Sequence, residues 1–168
     1  MLLKRGHEAM IEHGGVVTVK FICDRGVSHE IVRHRLASYG QESTRYCNYS
    51  ADKFDNEITV IEPCFWIKEK VEAPSTLYVT WMDTCQQAEK AYFDLLKQGA
   101  QPQEARSVLP NSLKTEIGVM MNMREWRHFF KLRTPLTAHP QMRELTIPLL
   151  EEFRSRIPIL FDDVSNAQ

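Results

Sequence analysis

The sequence lacks the features that mark membrane-spanning, exported and dinucleotide-fold proteins. No run of about 18 apolar residues occurs, and the N-terminal residues, which include Lys4 and Arg5, contain no apolar core of a signal peptide. Only 7 glycines are present among 168 residues, and neither the G-x-G-x-x-G pattern nor the P-loop pattern appears. We therefore predict a cytoplasmic protein without a membrane segment, in which side chains hold any phosphate group.

The sequence also lacks paired metal ligands and paired thiols. No H-E-x-x-H pattern and no C-x-x-C pair occurs, which disfavours a zinc site and a thioredoxin-like motif. We predict no metal. We expect the 4 cysteines to be reduced thiols that serve mainly in packing, namely Cys23, Cys47, Cys64 and Cys85.

Charge of either sign is not in excess, because 21 basic residues face 22 acidic ones. This balance excludes the overall basic field that holds a long nucleic acid. The distribution is uneven, however: the stretches 31–46 and 106–143 contain 8 of the 12 arginines and a net charge of +7. Two Arg-rich stretches in a neutral chain predict a local pocket for small anions.

Hydrophobic periodicity and turn residues predict a single domain of mixed strands and helices. We expect strands at 16–23 and 57–61 and a strand or strand-like connector at 112–121. Helices are expected at 27–37, 74–98, 102–108, from 122 until Pro135, and 140–156. The long helix 74–98 ends before Gly99, and Asn122 is the expected N-cap of the helix that follows it. The segment 38–50 is predicted to be a loop, and Pro148 to kink or break the last helix.

The first Arg-rich motif is Arg33-His34-Arg35, followed by Ser43-Thr44-Arg45. In the predicted helix 27–37, successive residues lie 100° apart, so Arg33 and Arg35 face different sides and each is expected to reach a different anion. The planar fork of arginine suits a phosphate or the carbonyl edge of a pyrimidine. A solvated basic helix end is an equally good interpretation from composition alone.

The second motif combines Arg106 with Asn122-x-Arg124, His128 and Arg133. Arg124 and His128 lie one helical turn apart on one face, which suits an aromatic cofactor. An ordinary amphipathic helix is the alternative. A nucleophilic Ser43 or Cys64 is a further alternative, although no G-x-S-x-G elbow is present and nothing near Cys64 would lower a thiol pKa.

In this order the motifs resemble those of the flavin-dependent thymidylate synthases. The signature is Arg33-His34-Arg35, seven residues and then Ser43-x-Arg45-Tyr46. Further matches are Gly6-His7-Glu8, Glu12-His13, Ala105-Arg106-x-x-Leu109-Pro110, Asn122-x-Arg124 and His128-Phe129-x-x-Leu132-Arg133. The resemblance covers residues 5–46 and 104–161, and so large an ordered set is specific.

The resemblance implies an α+β fold with a small, mostly antiparallel sheet packed against helices, one of them long. Residues 1–168 are expected to form one such domain without the family's N-terminal segment. The implied enzyme is a homotetramer with sites shared between subunits. It converts dUMP to dTMP with methylenetetrahydrofolate as carbon donor, NADPH as reductant and FAD as cofactor. The alternative is a catalytically inactive FAD- or nucleotide-binding remnant of the same family.

The resemblance also implies site residues, carried over position by position. Arg133 is the implied catalytic residue, which polarises the uracil ring. The implied FAD contacts are His7, Arg33, His34, Arg35, Gln41, Asn122, Arg124 and His128. The implied dUMP contacts are Glu30, Arg33, Gln41, Glu42, Ser43, Thr44, Arg45, Arg106 and Arg133. Two positions depart from the family pattern: Glu30 replaces a common Gln, and Ala9 a small hydroxyl residue.

Overall fold

A computed structural model describes residues 3–47, 49, 57–66 and 75–164. These ranges contain three strands and five α-helices. Their bounds are β1 Val16–Asp24, α1 Arg25–Ile31, β2 Ala37–Gln41, α2 Thr76–Lys97, α3 Pro102–Ala105, β3 Lys114–Asn122, α4 Met123–Arg133 and α5 Pro140–Arg156. Short 3-10 helices add Leu3–Arg5, Glu8–Gly14 and Arg106–Val108.

The strands form one antiparallel sheet in the order β1-β3-β2. Along β3 buried and less buried residues alternate, and Ile117, Val119 and Met121 supply the buried side. This period of two is the pattern expected for a strand with one face on the core. The α+β class predicted from the resemblance is therefore confirmed.

The chain divides into two compact units. The first comprises Met1–Phe21, His29–Gly40 and Ile117–Gln168, and the second Ile22–Ser28 and Gln41–Glu116. The expected single domain over residues 1–168 stays a prediction.

The core of the first unit is aromatic and is centred on α4. Trp126, Phe129 and Phe130 are fully buried there. Phe130 lies edge-on to Phe153 of α5, with ring centroids 5.1 Å apart. The indole N–H of Trp126 donates to the carbonyl of Val17 at 3.1 Å. Because three rings of α4 are buried, the opposite face of this helix presents its polar side chains in a fixed orientation.

The second unit packs around the long helix α2. Its buried cluster comprises Cys47, Tyr49, Tyr92, Ala105 and Leu113. The helix begins after Ser75, whose side chain accepts a hydrogen bond from the backbone N–H of Tyr78. The four cysteines carry no disulfide, as predicted, and burial raises the pKa of the Cys23 thiol to about 12.

Several predicted elements are confirmed within a few residues: β1, α2, β3, α4 and α5. Pro74, the predicted start of the long helix, lies outside the described residues. Asn122 caps α4 as predicted, since its side-chain oxygen accepts the N–H of Glu125 at 2.9 Å. Predicted helix 102–108 is α3 followed by a 3-10 turn.

The predicted helix 27–37 is wrong in its second half. The helix ends at Ile31. Val32 and Leu36, which would extend the apolar face of a longer helix, are 39% and 68% exposed and do not join the core. The hydroxyl of Tyr39 shares its one proton between the backbone carbonyl of Ile31, at 3.1 Å, and that of His34, just beyond the helix end. Tyr39 itself lies on β2, within the segment predicted to be a loop.

One further predicted strand and one predicted helix break are wrong. Residues 57–61 form no strand, only one bridge between Val60 and Leu113. The last helix continues through Pro148 without a break, and the alternative of a kink at this residue stays a prediction. Residues on both sides of Pro148 are fully buried, among them Met142 and Leu150, and this packing outweighs the lost backbone hydrogen bond. None of the helices in the described ranges is long and apolar enough to cross a membrane.

Candidate functional site

The predicted site residues fall into two sets, one in each compact unit. The first unit contains His7, Glu30, Arg33, His34, Arg35, Asn122, Arg124, His128 and Arg133. The second contains Gln41, Glu42, Ser43, Thr44, Arg45 and Arg106. Each set is described within its own unit.

Two adjoining clefts in the first unit, here called together the arginine cleft, contain most of the first set. One is lined by Arg33, His34, Arg35, Leu36, Glu125, His128, Leu132 and Arg133. The other is lined by Glu8, Glu12, Leu36, Asn122, Arg124, Glu125, His128 and Lys131. Each has a volume of about 280 Å³, which is at the lower end for ligand pockets. A large ligand would therefore need both clefts.

Arg33 and Arg35 lie in the connection between α1 and β2, not on a helix. Their predicted placement on different sides of one helix is therefore wrong, although both side chains line the arginine cleft. Both residues are exposed, and in the described part of the chain neither guanidinium has an ion-pair or hydrogen-bond partner. Two unpaired arginines on one cleft are suited to an anion.

Helix α4 supplies the other side of the arginine cleft. Arg124 and His128 line the same cleft from adjacent turns, which confirms the predicted common face. Arg124 donates from Nη1 to Glu12 of the 3-10 helix Glu8–Gly14, and both side chains remain partly exposed. This exposed pair leaves Arg124 accessible to a ligand.

His34 is the buried centre of the arginine cleft, with 4% of its surface exposed. Its Nδ1 lies 3.2 Å from Oε1 of Glu125, and its Nε2 accepts a hydrogen bond from Nε of Arg133 at 3.2 Å. Burial, followed by the charges of Arg133 and His128, lowers the pKa of His34 to about 4. His34 is therefore neutral near pH 7, and its contact with Glu125 is a hydrogen bond rather than an ion pair.

Arg133 is held by two residues of the first unit. Its Nη1 donates to Oε2 of Glu30 at 2.8 Å, its Nη2 donates to the backbone carbonyl of Glu30 at 2.8 Å, and its Nε donates to His34. The guanidinium group has five N–H bonds, so these contacts leave two for a ligand. The side chain is 18% exposed and lines the cleft.

His34, Glu125 and His128 bring potential metal ligands within 4.8 Å of one another. Both ring nitrogens of His34 already have hydrogen-bond partners, and Arg133 places a positive charge beside them. The physical arrangement therefore favours a hydrogen-bond cluster over a cation site. The absence of a metal remains a prediction.

The structure differs from the predicted site at a few positions. His7 is exposed at the N-terminus of the 3-10 helix Glu8–Gly14 and does not line the arginine cleft. Sequence reasoning missed Glu125, the partner of His34, and assigned no role to Lys131. An acidic residue three positions after an N-cap such as Asn122 is typical of helix capping, and nothing in that spacing indicates the contact with His34.

The second unit joins residues that are far apart in the sequence. Nη1 of Arg106 donates to the hydroxyl of Thr44 at 3.3 Å across 62 positions. Gln41 donates from Nε2 to the hydroxyls of Ser28 and Thr115, at 2.9 and 3.3 Å. Thr44 and Arg106, both assigned to dUMP by the resemblance, therefore lie together within one chain.

The rest of this set forms a turn after β2. The hydroxyl of Ser43 accepts the backbone N–H of Arg45 at 3.3 Å, and the exposed guanidinium of Arg45 lies 5.4 Å from the ring centre of Tyr46. The carboxylate of Glu42 lies 3.8 Å from the ammonium of Lys114. A hydroxyl and two exposed guanidinium groups, those of Arg45 and Arg106, are available to an anion here.

Comparison with known proteins identifies a family that this chain matches over most of its length. The family model described as thymidylate synthase complementing protein matches residues 1–159. The chain is 35% identical over 155 residues to a flavin-dependent thymidylate synthase of Pyrococcus abyssi. The matched stretch covers 92% of this chain and 61% of the relative. It is 32% and 33% identical to flavin-dependent thymidylate synthases of Geobacter sulfurreducens and Corynebacterium aurimucosum, with 96% of this chain and 66% and 67% of those relatives covered.

A fold of this class and this set of motifs define a protein family, and the chain belongs to the thymidylate synthase complementing protein family. The resemblance inferred from the motifs is thereby confirmed. The chain spans 61% of the length of the Pyrococcus relative that it matches.

Proposed function

We propose that this chain catalyses the reductive methylation of dUMP to dTMP, with methylenetetrahydrofolate as carbon donor, NADPH as reductant and FAD as cofactor. The observation that carries the proposal is the state of Arg133. This residue is fixed by Glu30 and His34, yet two of its N–H bonds remain for a ligand. Fixed donors in a cleft are the requirement for stabilising charge that develops in a transition state.

Arg133 suits the chemical problem posed by uracil. Carbon 5 of the ring is a poor nucleophile until electron density is pushed towards it. Negative charge then develops on the N3–O4 edge, where two parallel N–H bonds of a guanidinium can stabilise it. We assign this role to Arg133, which touches the substrate and is the catalytic residue of the proposal.

The residues of the arginine cleft fit FAD. The unpaired guanidinium groups of Arg33 and Arg35, with Arg124 nearby on α4, suit the two charges of a diphosphate. Asn122, His34 and His128 supply further polar groups at the same cleft. Bound FAD would supply the redox chemistry, while the chain supplies charge, orientation and shelter from water.

We assign dUMP to the second set as well, contributed by a neighbouring chain of a cytoplasmic homotetramer. Ser43 and the guanidinium groups of Arg45 and Arg106 suit the phosphate of the nucleotide. Gln41, Glu42 and Thr44 shape the same turn, and Gln41 is also assigned to FAD. His7, which is exposed in one chain, is assigned to FAD by its motif alone.

The decisive experiment measures tritium release from dUMP labelled at carbon 5, with FAD, NADPH and methylenetetrahydrofolate present. We expect release by the unmodified chain and its loss in Arg133→Ala. A protein that binds flavin and dUMP but releases no tritium would instead be the inactive remnant of the family. Cys64→Ser is the control, and loss of turnover in this variant would favour a thiol nucleophile over the arginine mechanism.

A further inference from the structure

Glu30 binds Arg133 through both its side chain and its backbone, whereas a residue that only contacts the substrate needs neither bond. Its side-chain Oε2 and its backbone carbonyl each accept a hydrogen bond from Arg133 at 2.8 Å. Both acceptors lie at the end of α1, 103 positions before Arg133. The carboxylate therefore neutralises part of the charge of Arg133 and also sets the direction in which the guanidinium plane points.

The direction of this plane determines the hydrogen bond to His34. The Nε of arginine carries a proton at every accessible pH and is always a donor. Since it points at Nε2 of His34 from 3.2 Å, this nitrogen must be unprotonated. A neutral imidazole then carries its one proton on Nδ1, which lies 3.2 Å from the carboxylate of Glu125.

We propose that Glu30 is a positioning residue: its carboxylate holds Arg133 against His34, and this contact keeps the proton of the neutral imidazole on Nδ1. The effect on turnover rests on the proposed function, because Arg133 is the residue assigned to polarise uracil. The position of the proton on His34 requires neither flavin nor dUMP.

The groups around His34 agree with this assignment. His34 faces Glu125, His128 and Phe129 of α4 as well as Arg133, with the Phe129 ring edge-on at 4.9 Å between centroids. Its pKa of about 4 keeps the ring neutral near pH 7. Among these groups Arg133 donates to Nε2 and Glu125 lies against Nδ1, so both contacts select the same tautomer.

The substitution Glu30→Gln tests whether the charge of Glu30, and not only its size, holds Arg133 in place. Glutamine keeps the length of the side chain, and the backbone carbonyl remains as an acceptor. It removes the charge, and a charge-assisted hydrogen bond is roughly twice as strong as a neutral one. Arg133 should then turn away from His34 in part of the molecules.

The test uses the full chain labelled with ¹⁵N-histidine, and long-range ¹H–¹⁵N correlation spectra near neutral pH without flavin or nucleotide. The His34 signals are assigned as those missing from His34→Gln. We expect a protonated Nδ1 and an unprotonated Nε2 in the unmodified chain. In Glu30→Gln we expect the Nε2-protonated form to appear beside the Nδ1-protonated form, which the contact with Glu125 still favours. Arg133→Lys, which lacks the Nε donor, should show the same mixture of the two forms.

Glu152→Gln is the matched control, since it removes a carboxylate from an exposed pair with Arg156 on α5, and the His34 signals should not change. A protonated Nε2 in the unmodified chain would overturn the proposal. An unchanged His34 pattern in Glu30→Gln, with circular dichroism showing a folded protein, would overturn it equally. If Glu30→Gln does not fold, Arg133→Lys is measured instead, and an Nδ1-protonated form without any Nε2-protonated form there contradicts the proposal. These spectra can be measured and interpreted even if the chain binds no flavin and has no activity.

Discussion

At the scale of single residues, burial controls the protonation of the groups in the arginine cleft. His34 and Glu125 are both buried and share a hydrogen bond, yet desolvation lowers the pKa of the imidazole and raises that of the carboxyl group. Both shifts favour the neutral form of the group. Burial therefore keeps His34 neutral near pH 7, where its contact with Glu125 orients the ring.

The first prediction concerns acid stability. The folded pKa of His34 is about 4 against an ordinary value of 6.5, so between these values the unfolded chain binds more protons. Stability is fully present above pH 6.5 and is lost as pH falls towards 4. At pH 4 we expect a loss of about 3 kcal/mol from this residue, at 1.36 kcal/mol per pKa unit.

Denaturant unfolding of the unmodified chain and of His34→Gln between pH 4 and 7 measures this loss. The raised pKa of Glu125 acts in the opposite direction, so the quantity of interest is the difference between the two curves. We expect the unmodified chain to have the steeper dependence on pH. Parallel curves would show that His34 is not buried in a neutral state.

The second prediction concerns Arg133 and its ligand. Arg133→Ala removes a charge-assisted donor from the cleft, and we expect dUMP binding to weaken by about 1.5–3 kcal/mol. Isothermal titration with dUMP measures this change. Arg156→Ala, in an exposed pair with Glu152, is the control and should bind dUMP as the unmodified chain does. Equal affinities of all three proteins would count against the assigned role.

At the scale of elements, α4 determines the geometry of the arginine cleft. Its aromatic face is buried in the first unit, while Arg124, His128 and Arg133 reach the cleft from the same helix. Arg127 anchors this helix to the C-terminal turn. Its side chain is 1% exposed and forms two hydrogen bonds to the carboxylate of Asp163, at 2.6 and 2.8 Å.

The third prediction tests this anchor. Asp163→Asn removes the charge that faces the buried guanidinium, and we expect the free energy of unfolding to fall by about 1.5–3 kcal/mol, the scale of a charged hydrogen bond. Chemical denaturation near neutral pH measures it. Arg127 holds the pKa of Asp163 below its ordinary value, so the contribution is present at neutral pH and lost in acid.

Glu152→Gln provides the comparison for this anchor, because it weakens an exposed pair on α5. Such pairs contribute at most about 1 kcal/mol. A similar loss in both variants would mean that Arg127 is not buried as described.

At the scale of the whole molecule, the two sets of candidate residues belong to different compact units. Arg133 belongs to the first unit. Arg106, which is hydrogen-bonded to Thr44, belongs to the second unit. In the proposed homotetramer these sets meet between chains. Symmetric oligomers commonly build sites in this way, because each interface is repeated by the symmetry.

The fourth prediction uses mixed oligomers. Arg133→Ala and Arg106→Ala should each abolish tritium release. Co-expression of the two variants should restore about one quarter of the sites, since a site with intact residues from two different chains forms by random assembly. The measurement is tritium release per oligomer, with gel filtration to confirm assembly. No restoration in mixed oligomers would place both residues of one site on the same chain.

Sequence patterns were sufficient for elements governed by local interactions. The β-branched run of β1, the capping signal of Asn122 and the amphipathic pattern of α2 each predicted their element, because side-chain spacing and caps act within a few residues. The ordered arginine motifs were likewise sufficient for the family. They did not reveal β2, which exists because it pairs with β3, a strand more than seventy positions away.

The amino-acid sequence by itself thus determined the helices and strands with strong local signals, the family and the set of candidate arginines. Only the tertiary structure decided which groups these arginines meet. Arg133 is held by Glu30 and His34, while Arg33 and Arg35 are left unpaired among the described residues. The physical reason is that charge and hydrogen-bond direction depend on neighbours brought together by folding. The pKa of His34 and the position of its proton follow from those neighbours.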